Sequence, residues 1–107
     1  MAIIKIKPLS VNKVWAGRRF KTPLYKDYER EVFFQLPKLE IPKGKLKLKI
    51  TFAFSSKASD IDNPIKPLID ILQNTYRFND KQIYKLEVEK IDVKKDREFI
   101  DFEILPI

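Results

Sequence analysis

Apolar and polar residues alternate strictly over Lys45–Phe54. With a period of two, Leu46, Leu48, Ile50, Phe52 and Phe54 share one face and Lys45, Lys47 and Lys49 the other, which predicts a half-buried strand. Gln82–Val93 reads as a long strand with Tyr84, Leu86 and Val88 inward. Its apolar phase then slips to Ile91 and Val93, which predicts a bulge. Arg97–Leu105 reads as a strand with Ile100, Phe102 and Ile104 inward and Asp101 and Glu103 outward; Lys94-Lys95-Asp96 reads as the hairpin turn before it. Ala2–Lys7 is a β-branched strand ended by Pro8. Helical spacing occurs twice. Thr22 caps and Pro23 opens a helix in which Leu24, Tyr28, Glu31, Val32 and Gln35 share a side, widened by Tyr25, Phe33 and Phe34, until Leu36-Pro37 ends it. The second helix carries Ile65, Leu68, Ile69 and Leu72 on one side. Asp62 or Asn63 is its expected cap and Pro64 its expected first residue, with Pro67 still inside the tolerant first turn. Leu9–Thr22 has no period and reads as a loop. The order is β-α-β-α-β-β. The expected fold is α+β, one domain over residues 1–107, with a four-stranded mixed or mainly antiparallel sheet and two helices on one face.

Charge and composition narrow the chemistry. The 107 residues hold no His and no Cys. That excludes Ser-His-Asp catalysis, a His general base, His-ligated zinc, thiolate metal sites and disulfides. A metal-bound water removes the need for His, because the ion lowers the pKa of the water. The net charge of +7 is uneven. Residues 1–59 hold 14 basic and 4 acidic residues, a net +10; residues 60–107 hold 8 and 11, a net −3. A basic half followed by clustered acids suits a protein that binds a polyanion. In the 9–22 loop, Lys13, Trp15, Arg18, Arg19 and Lys21 mix cations with an aromatic ring, a pattern that meets phosphates and stacks on exposed bases; Lys57 extends the set. Trp15 fits a core anchor under the loop equally well. The Lys45–Lys49 row has two readings, a DNA-backbone contact or the blunting of an edge strand. Apolar runs fall far short of the ~20 residues that cross a bilayer. Lys5 and Lys7 interrupt any leader-like stretch, so a cytoplasmic setting, bacterial or phage-encoded, is expected.

The candidate chemistry lies in Ser59-Asp60-Ile61-Asp62-Asn63-Pro64-Ile65-Lys66-Pro67-Leu68-Ile69-Asp70, echoed at Asn79-Asp80. Asp62, Lys66 and Asp70 are four apart and line one helix side. Hard divalent cations take oxygen ligands, and Asp60, Asp62 and Asp80 can supply them. Lys66 can place positive charge near a phosphate. The same residues also suit plain capping and a solvated helix face. An EF-hand is excluded: counting from Asp60, the sixth position is Ile65 rather than Gly and the twelfth is Ile71 rather than Glu.

The run Asp60-x-Asp62-Asn63-x-x-Lys66-x-x-x-Asp70-x-Leu72, with Asn79-Asp80-x-Gln82-Ile83, resembles the signature of RusA-type Holliday junction resolvases. The opening Pro8-x-Ser10-x-Asn12-x-x-Trp15 is similar to that family's too. Asn79 departs from it, standing where an Asp is usual. The resemblance implies a Mg²⁺-dependent endodeoxyribonuclease, with Mn²⁺ able to substitute, acting on branched DNA in recombination and repair. It implies metal ligation by Asp60, Asp62 and Asp80 and an essential Lys66, with Asn63 and Asp70 supporting them. It also implies a homodimer, whose two sites would match a four-way junction. Two other readings stand beside it: a non-catalytic basic nucleic-acid-binding module, and a metal-dependent nuclease for flaps or forks.

Overall fold

The computed structural model describes residues 2–9 and 21–107 in full and residues 15, 16 and 20 by their backbone alone. Its elements are β1 (Ala2–Ile4), β2 (Trp15–Ala16), β3 (Phe20–Lys21), α1 (Pro23–Gln35), β4 (Leu46–Phe54), α2 (Ile65–Tyr76), β5 (Ile83–Asp92) and β6 (Phe99–Pro106), with a 3-10 turn at Asp80–Gln82. The fold is α+β: a four-stranded mixed sheet in the order β1-β6-β4-β5, with two helices. Within the expected 9–22 loop, β2 and β3 pair antiparallel as a two-residue ribbon.

β4 occupies the interior of the sheet because it is apolar enough to be covered along its whole inner face. Leu46, Leu48, Ile50, Phe52 and Phe54 are all buried. β5 runs parallel to it and β6 antiparallel. A parallel pair needs a crossover, and α2 supplies it. The expected hairpin between the last two strands does not form. β4 stands between β5 and β6, and the chain crosses the end of β4, where the Val93 N–H donates to the Phe54 carbonyl at 2.9 Å. The expected mid-strand bulge is also absent. Register runs unbroken from Lys85 to Asp92, and the irregularity lies at Tyr84 instead. Ile91 simply faces outward, opposite Ala53. Tyr84 was expected inward but is 64% exposed, since β5 is an edge strand.

The central position of β4 excludes edge-blunting as the reason for its lysines. Lys47 Nζ lies 2.9 Å from Glu87 Oε1, which holds that carboxyl below its usual range. Lys49 faces Glu87 on one side and Glu103 on the other. The outer face of the sheet is thus a charge ladder, as alternation on a half-solvated sheet allows.

α1 begins as expected: the Thr22 hydroxyl accepts the Tyr25 N–H at 3.1 Å, and Pro23 follows. Tyr25, Tyr28 and Val32 are buried, but Phe33 and Phe34 point to solvent, the latter 85% exposed. The apolar stripe of α1 is therefore narrower than its composition suggested. α2 buries Leu68, Ile71 and Leu72 against the sheet, with Ile65 and Ile69 at the margin. Among the described residues no helix is long and apolar enough to cross a membrane.

Candidate active site

Two connections present the acidic residues: the loop from β4 to α2, and the turn from α2 to β5. The first is tied down at several points. The Ser55 hydroxyl donates to Glu98 Oε2 at 2.7 Å and holds that carboxyl below its ordinary range. The Ser59 N–H donates to the Ser56 carbonyl, and the Ala58 N–H to Ser56 Oγ. From β5, Lys90 Nζ donates to the carbonyls of Lys57 and Ser59. Lys90 was missed by sequence reasoning. It pairs with Phe52, so it is a lysine at an inward position of its strand. Such a charge needs acceptors, and the loop carbonyls provide them.

The capping expected of this loop is not made. α2 starts at Ile65, with Pro64 at the cap position and no side-chain cap bond. The Ile65 N–H is taken by the Asp62 main-chain carbonyl at 3.2 Å. The backbone thus closes the helix start itself, and neither carboxylate is spent on it. Asp60 and Asp62 are both exposed. Asn63 Nδ2 donates to Asp60 Oδ2 at 3.1 Å, which fixes Asp60 from the helix side.

The second connection is more tightly built. α2 ends on Arg77 in a left-handed conformation (φ 57°), whose N–H donates to the Gln73 carbonyl. Asn79 then caps the 3-10 turn. Its side chain accepts the Lys81 N–H at 2.9 Å, while Gln82 Oε1 accepts the Asn79 N–H at 3.0 Å. Asn and Asp cap about equally well, so Asn79 does the structural work of the usual Asp at this place. Gln82 also donates to the Gly44 carbonyl, tying the turn to the start of β4. The Asp80 N–H donates to Gln73 Oε1 at 2.7 Å. Gln73 is a second positioning residue that the sequence did not disclose.

Lys66, on α2, faces the second connection. Its Nζ lies 2.8 Å from Asp70 Oδ1 and 4.0 Å from Asp80 Oδ2. The hydrogen bond to Asp70, aided by the charge of both acids, raises its pKa above the usual lysine value. Lys66 is therefore a fixed cation between two carboxylates and not a candidate general base. Burial, with the nearby carboxylates of Glu29 and Asp70, pushes the Tyr25 phenol up to about 12.

The structure thus brings Lys66, Asp70 and Asp80 together, and separately Asp60 with Asn63. Among the described residues it gathers no three acids into one metal-binding group. Of the expected DNA contacts, Lys13, Arg18 and Arg19 lie outside the described residues, as does the Trp15 side chain. Lys57 is exposed on the first loop. Lys21 pairs with Glu29 at 3.2 Å and lies over the Tyr25 ring.

The structure is a mixed-sheet α+β fold with a parallel crossover, carrying acids on both connections of the crossover helix. The family model for endodeoxyribonuclease RusA matches residues 7–103. The chain belongs to the RusA endodeoxyribonuclease family, and so to the nucleases that resolve Holliday junctions. No curated protein matches it.

Proposed function

We propose that this protein is a Mg²⁺-dependent endonuclease that cuts four-way DNA junctions during recombination and repair. The observation that carries the reading is Lys66 standing between Asp70 and Asp80 inside a family match that spans both acidic connections. The donors are all carboxylate oxygens, the chemistry that hard divalent ions select. Asp60, Asp62 and Asp80 would hold the ion, and when bound it supplies an activated water and charge neutralisation at the phosphate. Mn²⁺, with similar ligand preferences, would substitute.

The chain's own residues do the rest. Lys66 stays protonated and offers its ammonium to phosphoryl oxygens, a role that strengthens as charge develops in the transition state. Asp70 holds Lys66 in place. Gln73 and the Asn79–Gln82 box fix the backbone that carries Asp80. Lys90 and Asn63 fix the loop that carries Asp60. The basic residues of the N-terminal half bind the phosphate backbone, so binding falls steeply with salt. Paired incisions call for two sites related by a two-fold axis, and a homodimer supplies them.

The test is incubation of a synthetic four-way junction, a flap, a fork and plain duplex with and without Mg²⁺. Paired nicks in the junction with Mg²⁺ alone support the reading. Preference for flaps or forks would reassign the substrate. A non-catalytic module predicts no nicking of any of these. That second reading has the acids as caps, and neither the Asp60 nor the Asp62 side chain caps α2.

A further inference from the structure

Just beyond Asp80, the parallel pair of β4 and β5 opens with a break in register. Leu46 pairs with Ile83 and Lys47 with Lys85, so Tyr84 is the extra residue. A bulge of this kind re-aims a side chain, and beside active sites that is a frequent use of one. Here it leaves a large ring on the edge strand 64% exposed. Lys45 Nζ sits 4.8 Å from the ring centroid. The ring also shares a hollow of about 280 Å³ with Lys66, Asp80, Lys85 and Leu86. Gln82 donates to the Gly44 carbonyl, which ties the segment bearing Lys43 and Lys45 to the Asp80 turn. Lys43, Lys45, Lys81 and Lys85 are all exposed, and Glu87, on the same strand as Tyr84, is already taken by Lys47. An exposed ring set among lysines suits nucleic acid whose bases are not fully stacked: cations meet phosphates and the ring takes a base face.

We infer that Tyr84 reads the branch point of the DNA. Its ring packs on a base left without a stacking neighbour where the arms part, while Lys45 and Lys85 hold the phosphates on either side. This rests on the junction reading above for the substrate. Continuous duplex offers no free base face, so the ring adds affinity only at a branch, whereas the lysines add it on any DNA. Tyr84 and Asp80 line one hollow, so the ring also sets how far from the branch the cut falls. A second copy of the chain is the competing occupant. A two-fold contact centred on Tyr84 would set the same lysines against each other, and like charges opposed across an interface are costly.

The experiment compares the affinity of the whole chain for a synthetic four-way junction and for a duplex of the same arm sequence, in EDTA, over a series of salt concentrations. Wild type should prefer the junction. Tyr84→Ala should weaken junction binding about tenfold, the size of one stacked base, and leave duplex binding within about twofold. Tyr84→Trp, which keeps a ring, should retain the preference. Lys45→Gln and Lys85→Gln should weaken binding to both DNAs alike, each lowering the slope of log affinity against log salt by about one. All three positions are exposed, so the substitutions leave the core intact. Unchanged junction binding by Tyr84→Ala, or an equal loss on junction and duplex, would overturn the inference. So would a fall in that variant's sedimentation mass without DNA, which would make the ring a contact between copies. The assay holds no metal and reads no cleavage. A wild type without junction preference therefore overturns this inference and leaves the Mg²⁺ cleavage assay to decide the nuclease reading, whereas junction preference without cleavage removes the nuclease reading alone.

Discussion

At the scale of single residues, Lys66 shows how exposure separates stability from activity. Its pair with Asp70 is solvent-accessible, and pairs of that kind contribute little to folding. Lys66→Ala should therefore change unfolding free energy by less than about 1 kcal/mol, while lowering junction cleavage by about 100-fold, as the loss of a charge-stabilising group does. Denaturant melts and single-turnover cleavage check the two halves. Asp60→Asn should abolish cleavage and keep or tighten junction binding, because a negative charge near phosphate is removed; retained cleavage would sink the metal assignment. Tyr25 behaves in the opposite way. Its folded pKa of about 12 lies above its ordinary 10.0, so the fold favours the neutral phenol. The resulting stability is complete below pH 10 and is lost as pH rises through about 12. Denaturation midpoints should fall across that window and fall less in Tyr25→Phe.

At the scale of elements, the two connections differ in how they are held. Asn79→Asp should leave stability unchanged, since either side chain caps, whereas Asn79→Ala should cost about 1 kcal/mol. Lys90→Met should leave β5 paired yet free the loop at Ser59, seen as faster amide exchange there and a cleavage rate lower by about 10-fold or more, as misplacement near the chemistry causes. What the sequence could reveal also divides here. Alternation in β4, the Thr22 cap and the Asp60–Asp80 motif are local patterns, and local patterns are readable. Which strand sits beside β4 is not local. Lys94-Lys95-Asp96 has the look of a hairpin turn because turn residues are the same whether the chain returns beside its last strand or one strand further on. Lys90 and Gln73 were hidden for the same reason. Their acceptor and donor lie 31 and 7 residues away, in positions that only the folded crossover brings near. The cap expected at Asp62 failed because a main-chain carbonyl took the N–H first.

At the scale of the whole molecule, the acids remain in two groups within one chain, with no three gathered for an ion among the described residues. Mg²⁺ commonly completes its coordination with substrate phosphate oxygens. The protein alone should thus gain little from Mg²⁺, a melting shift of about 1 °C or less, and a catalytically dead Asp60→Asn–junction complex should likewise gain little, whereas the wild-type complex should show a clear rise. A large shift without DNA would mean a site already assembled. Sedimentation equilibrium tests the homodimer directly.

The strand order carries a last consequence. β6 fills the slot between β1 and β4, and β1 has no other strand partner among the described residues. Residues 2–4 thus find their place only once residues 99–106 have been made. A ribosome must have made β6 before the keystone drops in. Until then the edge of β4 that pairs with β6 lies open, and a copy shortened before Phe99 loses β6 and the seat of β1 together.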